Sequence, residues 1–515
     1  MPDPSAPMLA VYDFENAPTS FDFVNFLARA EIAKRSCGAE TISVLFVLNS
    51  QGAFWQNENR SVADHGKRVE NLLIPLCRLW HMDPKQPPVG RREAGEIVKN
   101  WDGPVFPPSY DVESPPPNEY QWAHLVAEHC IGTEMPLWRA NDDARRRITD
   151  LLSPNERAIA AITLRETLDG RTSDFAAWAS LADRLRQQGH RPIFLRDTDF
   201  MDTAPPAALV QEEFCDAASR DPLARAAFYE LSDICLMHAN GPMQMIWLGA
   251  ATRSMVFGIA NQSFAHGCAT PIRSMGLNIG SPLAMHSGRH RIIWEDDSDD
   301  VLKRHTDVIN QALKDREFIL EESAPENLLE IARRLRNTYR LDPATRIYNY
   351  VGGKNDADSP GGRAGLALCA AKDGSASYIL RRIKFARHFT GLSLVRPESC
   401  SGEAAAEIAA AHRLAGMTKR SELFATKSIE APDASAEAKA QALYVLSENR
   451  LEAEESRDAE NLLCEANALA PYESVYPIAL AKLAMRLGDP AKALQWHAVA
   501  KSLDPSAPHI TTFPT

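Results

Sequence analysis

Apolar residues in the first part of the chain come in short bursts separated by longer amphipathic stretches. Met8 to Tyr12 and Thr41 to Leu48 read as buried strands, and Phe21 to Arg35 and Ser61 to Trp80 read as helices with one apolar face. Strands alternating with helices predict a parallel α/β sheet. The stretch Trp101 to Asn118, with its Pro115-Pro116-Pro117 run, can continue neither a helix nor a central strand. It reads either as a long loop over this domain or as a plain linker.

The alternation resumes near Ser153. Arg157 to Leu164 is a strand, Ser173 to Gln188 a helix with Phe175, Trp178, Ala182 and Leu185 on one face, and Pro192 to Leu195 the next strand. Gly189 stands where a helix C-cap belongs. A helix over Pro222 to Leu231, a strand over Asp233 to Met237, a helix opening at Pro242, and strands at Ser254 to Ile259 and Arg291 to Trp294 complete a second parallel sheet. From about Ala324 the strand signals fade, and Ala, Leu, Glu and Arg recur at helical spacing. Within that region Leu443, Leu446, Ala459, Leu463, Ala466 and Pro471 are matched by Pro477, Leu480, Ala493, His497, Ala500 and Pro505, a period of 34 that resembles the tetratricopeptide repeat. The expected organisation is a Rossmann-like domain over residues 1–150, a second over 151–325, a helical region over 326–435 and tetratricopeptide-like repeats over 436–510.

Charge and composition narrow the function. A net charge of −12 without a long basic cluster argues against nucleic acid as a partner. Nine cysteines scattered singly, with no C-x-x-C pair, suit a reducing compartment, and no apolar stretch approaches the ~20 residues of a membrane span. The expectation is a cytoplasmic protein.

Three segments carry candidate chemistry. In Asp233-Ile-Cys-Leu-Met-His-Ala-Asn240-Gly241-Pro242-Met243 a strand runs through a tight loop into a helix start, with Asn240 and Gly241 suited to the N-cap and Pro242 and Met243 to the first turn, so free backbone N–H groups and the positive end of the dipole face the strand's C-terminal edge, where a phosphate is welcome. An ordinary capped junction fits the same pattern. Arg165 ends the first strand of the second sheet and Arg171 precedes the next helix, so two guanidinia could clamp a diphosphate; a pairing of these arginines with Glu166 or Asp174 is the plainer reading. Glu295 and Asp296 end the last strand, where they could accept hydrogen bonds from a ribose or sugar hydroxyl, whereas Asp297 and Asp299 read as complements to a helix dipole. In the first domain Asp13 and Glu15 place two carboxylates in the first strand-to-helix loop as candidate general bases, with a simple loop cap as the rival for Asp13. His238, His266, His286 and His290 are too irregularly spaced for a ligand motif, and no metal is expected.

The Asn-Gly-Pro-Met segment is similar to the donor-binding region of GT-B glycosyltransferases, including heptosyltransferases. The Arg165 segment is more distantly similar to the arginine-bearing strand end of fucosyltransferases that bind GDP-fucose, without their His-x-Arg-x-Gly-Asp form. The resemblance implies a GT-B-like pair of Rossmann-like domains that transfers a hexosyl- or fucosyl-type sugar, without metal or other cofactor, from a nucleotide-diphosphate donor to a protein or glycan acceptor. In that scheme Asp13 or Glu15 is the base, while Arg165, Arg171, Asn240, Gly241, Pro242, Met243, Glu295 and Asp296 bind the donor. The helical repeats would hold a protein partner. Two rivals stand beside it: a sugar-nucleotide epimerase, and a catalytically silent transferase fold acting through its helices.

Overall fold

The computed structural model describes residues 6–55, 60–108, 110–117, 119–152, 157–166, 172–260, 267–282, 285, 288–322, 327–374 and 376–505. They form two compact units: Met1–Leu125, Glu134–Ile259 and Pro282–Ser323 in one, and Val126–Thr133, Ala260–Ser281 and Ala324–Thr515 in the other.

The first unit contains two parallel sheets. Strands β1 (Met8–Asp13), β2 (Ile42–Val47), β3 (Asp83–Pro84) and β4 (Val105–Phe106) lie in the order β3-β2-β1-β4. Strands β5 (Ile159–Thr163), β6 (Arg191–Leu195), β7 (Ile234–His238), β8 (Ser254–Phe257) and β9 (His290–Ile293) follow in the order β6-β5-β7-β8-β9. Every pairing is parallel. Parallel strands are covered by helices on both faces, which is why β1, β2 and β7 are apolar along nearly their whole length and buried throughout. The core of the second sheet joins Ile162, Leu236 and Phe257 to Trp178, Leu181 and Leu185 of the helix Phe175–Gln187 and to Leu302 and Ile309 of the helix Asp299–Lys314.

One segment departs from expectation and another settles between two readings. The helix expected over Ser61 to Trp80 is built as Val62–Arg68, a π turn Val69–Leu73 and Ile74–Leu79. Pro75 has no N–H to donate back along the ladder, and the Ile74 N–H bonds to Val69 five residues earlier, which is the wider turn. The Pro-rich stretch is a loop fastened to the sheet: it contains β4, which pairs with β1, and Asn16 donates to the Pro115 carbonyl at 3.1 Å.

The second unit is helical. Leu328–Asn337, Leu341–Gly352, Ser359–Lys372, Tyr378–Phe389, Gly402–Leu414, Thr418–Glu430, Ala436–Glu452, Ser456–Leu469, Val475–Arg486 and Pro490–Leu503 follow in chain order, and each packs on the one before it except Gly402–Leu414, which packs on Ser359–Lys372. The small and apolar positions Leu443, Ala459, Leu463, Ala466, Leu480, Ala493 and Ala500 of the 34-residue period are buried. No helix among the described residues is long and apolar enough to cross a membrane.

Candidate functional site

Polar side chains gather at the C-terminal ends of both sheets, the edge at which open parallel sheets meet ligands. At the end of β1, Asp13 is buried and saturated. It accepts from Arg91, the first residue of the helix Arg91–Lys99, at 3.1 Å, from the Glu15 N–H at 2.9 Å and from the Tyr110 hydroxyl. Burial, with the Asp13 carboxylate beside it, pushes the Tyr110 phenol far up, so that it stays neutral and donates. Glu15 accepts from the Ser50 N–H at 2.6 Å and stands 3.6 Å from Arg91. The two acids are thus brought together, as the sequence suggests, but Asp13 is an anchor for Arg91 and Tyr110 rather than a free base. Beside them a cleft of about 290 Å³ is lined by Tyr12, Asp13, Asn16, Tyr110, Glu119 and Tyr120. Sequence reading missed Arg91 and Tyr110; no spacing links them to Asp13, from which they lie 78 and 97 positions away.

In the second sheet β5 and β7 are neighbours, so the two segments singled out from sequence do meet. The Arg165 guanidinium donates to the Ala239 carbonyl, the Asn240 amide donates to the Leu164 carbonyl at 3.3 Å, and the Ser173 hydroxyl accepts from the Arg165 N–H at 2.9 Å. Arg171 lies outside the described residues. Glu166 is buried against Arg196, which follows β6, at 2.5 and 3.0 Å.

The phosphate reading of the glycine loop requires two corrections. The helix Pro242–Trp247 has only 6 residues, with Gly241 as its N-cap and no capping side chain, so its dipole is slight. A Cβ on Gly241 would come within 3.0 Å of the Phe21 ring, so the small residue is there for close packing against the first sheet's helix entry. Pro242 and Met243 are buried.

At the end of β9 the three acids differ in burial. Glu295 is exposed and ion-paired with Arg304 at 2.6 Å, and Asp296 has a half-exposed side chain. Asp297, read as a dipole complement, turns inward because Ser298 takes the N-cap of the helix Asp299–Lys314. It is buried, accepting from the Trp178 indole at 2.6 Å and the Asp174 N–H at 3.1 Å, with the other oxygen 3.2 Å from His238 Nδ1. Burial raises its pKa, but the contacts with His238, Trp178 and Asp174 outweigh it and hold the carboxyl below its ordinary value. His238 is the last residue of β7, and Gly258 makes room for it: φ there is +70°, and a Cβ would lie 2.7 Å from the imidazole. His238, Asp296 and Asp297 offer ligand atoms within 4.8 Å of one another, the one such group of three among the described residues. Chain spacing hides this cluster, because the order β7-β8-β9 is what assembles it.

No protein-family model and no curated protein matches the chain. Among solved structures, ADP-heptose lipopolysaccharide heptosyltransferase II of E. coli is similar at 12% identity over 60% of this chain and 98% of its own, with a TM-score of 0.38. A family 9 glycosyl transferase of Veillonella parvula DSM 2008 gives 7% identity, 60% and 99% coverage and a TM-score of 0.33. The wall teichoic acid polymerase TagF gives 11%, 66% and 90%, with a TM-score of 0.24. Likenesses at these scores assign neither family nor chemistry.

Proposed function

We propose that the chain is a glycosyltransferase that moves a sugar from a nucleotide-diphosphate donor to a protein or glycan acceptor, the donor held by residues 151–325 and the acceptor by residues 1–150. The observation that carries the reading is Arg165: a guanidinium tied to the Ala239 carbonyl stands where the C-terminal ends of β5 and β7 adjoin. A diphosphate at that edge would compete for its remaining N–H groups, and a preorganised cation there would stabilise the charge that builds on the leaving group. In this reading Arg171 and Asn240 add donors, and Glu295 or Asp296 accepts from the sugar or ribose. Glu15, less enclosed than Asp13, is the better general base. In this reading transfer is metal-independent, the charge on the leaving diphosphate being met by Arg165.

The test is a binding screen of the whole chain against UDP-, GDP-, ADP-, dTDP- and CMP-sugars. One of them should bind, and Arg165→Ala should weaken it about 10- to 100-fold, equivalent to ~1.5–3 kcal/mol for a lost charge-assisted contact. Arg165→Lys, which keeps the charge without the fork, should fall between the two. If no sugar nucleotide binds at millimolar concentration, or folded Arg165→Ala binds as the natural chain does, the donor site is elsewhere. Turnover abolished by EDTA and restored by Mn²⁺ would sink the metal-independent step. The helical pairs of residues 436–510 would recognise a protein acceptor through exposed positions such as Leu487 and Leu494. Glutamate at both positions should raise KM for that acceptor, and an unchanged KM would remove this role.

A further inference from the structure

The helix Tyr378–Phe389 is unlike its neighbours: none of its twelve residues is buried. It rests on the preceding helix through Arg381, Phe385, His388 and Phe389, which fall on one face. Phe385 stacks on Phe389 at 5.3 Å, and the Phe389 ring meets His412 edge-on at 5.2 Å. The opposite face carries Ile379, Ile383 and Ala386 at helical spacing, and the two isoleucines are 70% and 60% exposed. Leu380 adds to this surface, and Leu394, just beyond the helix, is 83% exposed. A helix packed only for folding would turn these residues inward and its cations outward.

Charge distinguishes the surface further. On a 3.6-residue wheel Arg382 and Arg387 flank the isoleucine stripe on either side. From Ser377 to Arg396 the sequence has five cations, Arg381, Arg382, Lys384, Arg387 and Arg396, and no acid. The chain as a whole has 68 acids against 56 cations, so this cationic segment departs from its setting. Lys384 is paired with Asp373 at 3.2 Å, and Arg382 donates to the Tyr378 hydroxyl at 2.9 Å, so the Arg382 guanidinium is held along the helix and not folded over the stripe.

We propose that this helix is a membrane-surface element that lies in the plane of an anionic lipid interface. Ile379 and Ile383 enter the boundary between headgroups and acyl chains, while Arg382 and Arg387 meet lipid phosphates on either side. An aliphatic stripe bordered by cations and free of acids is complementary to a surface that is apolar below and negative above. A protein groove of mixed polarity would not call for the absence of acids. The association is peripheral and reversible, and it does not depend on the transferase reading.

Co-sedimentation of the full chain with vesicles tests it. The natural chain should partition onto phosphatidylcholine vesicles containing phosphatidylglycerol at least ~10-fold better than onto phosphatidylcholine alone, and salt should weaken the binding. Ile379→Glu with Ile383→Glu, at exposed positions that leave packing untouched, should reduce partitioning at least ~10-fold. Arg382→Gln with Arg387→Gln should remove most of the preference for anionic vesicles while leaving weak binding to both. Equal binding to neutral and anionic vesicles, no binding to either, or wild-type binding by both variants overturns the proposal. Sedimentation velocity separates the remaining occupant: a natural chain that dimerises, ignores vesicles and becomes monomeric with the glutamates would make the stripe a contact between copies.

Discussion

The core of the five-stranded sheet and the core of the helical unit meet the same demand, removal of side chains from water, with opposite chemistry. Between β5, β7, β8 and their helices the filling is Ile162, Leu236, Phe257, Trp178 and Leu181, and the polar cluster is confined to the strand ends. In the helical unit, Arg333 and Arg336 of the helix Leu328–Asn337 are wholly buried, with Arg333 at 2.8 Å from Glu407 and 3.0 Å from Glu403 and Arg336 on Glu407 and Gln441. Arg273 likewise joins Glu437 at 2.8 Å and Glu473 at 2.5 Å. An apolar core tolerates the loss of a methyl group, whereas an ionic core depends on every partner, because one removed member leaves a charge buried without compensation. The helical unit is therefore the more specific in its pairing and the more brittle.

The sharpest way to break the contrast is Glu407→Ala, which removes the carboxylate that two buried arginines share. Hydrogen exchange on the full chain should show the helices Leu328–Asn337 and Gly402–Leu414 losing about 3–5 kcal/mol of protection, while β5 and β7 keep theirs. Ile162→Val in the sheet should cost only about 1 kcal/mol, confined to the strands. A loss below 1 kcal/mol in Glu407→Ala would mean that the network relaxes and the cores are not so different.

Acid separates them next. The arginines around Glu437 hold its carboxyl at about 2 against an ordinary 4.5, despite the opposing effect of burial, and Glu407 is lowered by Arg336 and Arg333 in the same way. Folded values below unfolded ones stabilise the folded state above pH 4.5, and that stabilisation drains away as pH falls from 4.5 toward 2. The Glu437 share is on the order of 3 kcal/mol. Acid titration by circular dichroism should show helix melting in that window, and Glu437→Gln, weaker at neutral pH, should flatten the slope. A slope unchanged in Glu437→Gln would put the acid sensitivity elsewhere.

The sheet was the legible half, and the reasons are local. Buried parallel strands are continuous apolar runs, and Asp221 with Pro222 marks a helix start that the structure reproduces as Pro222–Leu231. β3 and β4, two residues each, leave no pattern to read. Arg333, Arg334 and Arg336 look like a solvated face because a lone cation defaults to the surface, and the acids that bury Arg333 and Arg336 lie some 70 positions away. At the site the same division holds. The meeting of Arg165 and Asn240 is legible because each lies just past a strand end, but the burial of Asp297 against His238 and the closeness of Gly241 to Phe21 depend on which elements become neighbours. Sequence periodicity does not encode that order.

A further substitution tests whether the sheet's polar cluster is truly separate from its core. Trp178 belongs to both: its ring meets Phe257 edge-on at 5.7 Å, and its indole N–H reaches Asp297 at 2.6 Å. Trp178→Phe keeps an aromatic ring against Phe257 and deletes the hydrogen bond to a buried carboxylate, which should cost about 1.5–3 kcal/mol. Part of that cost has a signature that packing alone lacks. With one donor gone, burial counts for more and the Asp297 carboxyl should titrate closer to its ordinary value, so the stability that its lowered value supplies at neutral pH, lost on acidification, should shrink. Denaturant unfolding of the natural chain and the variant at pH 7 and at pH 3, below the ordinary aspartate value of 3.8, measures both quantities. The gap between the two should narrow at the lower pH. If the gap is the same at both, Trp178 acts through its volume alone, and the strand-end cluster is not coupled to the core beneath it.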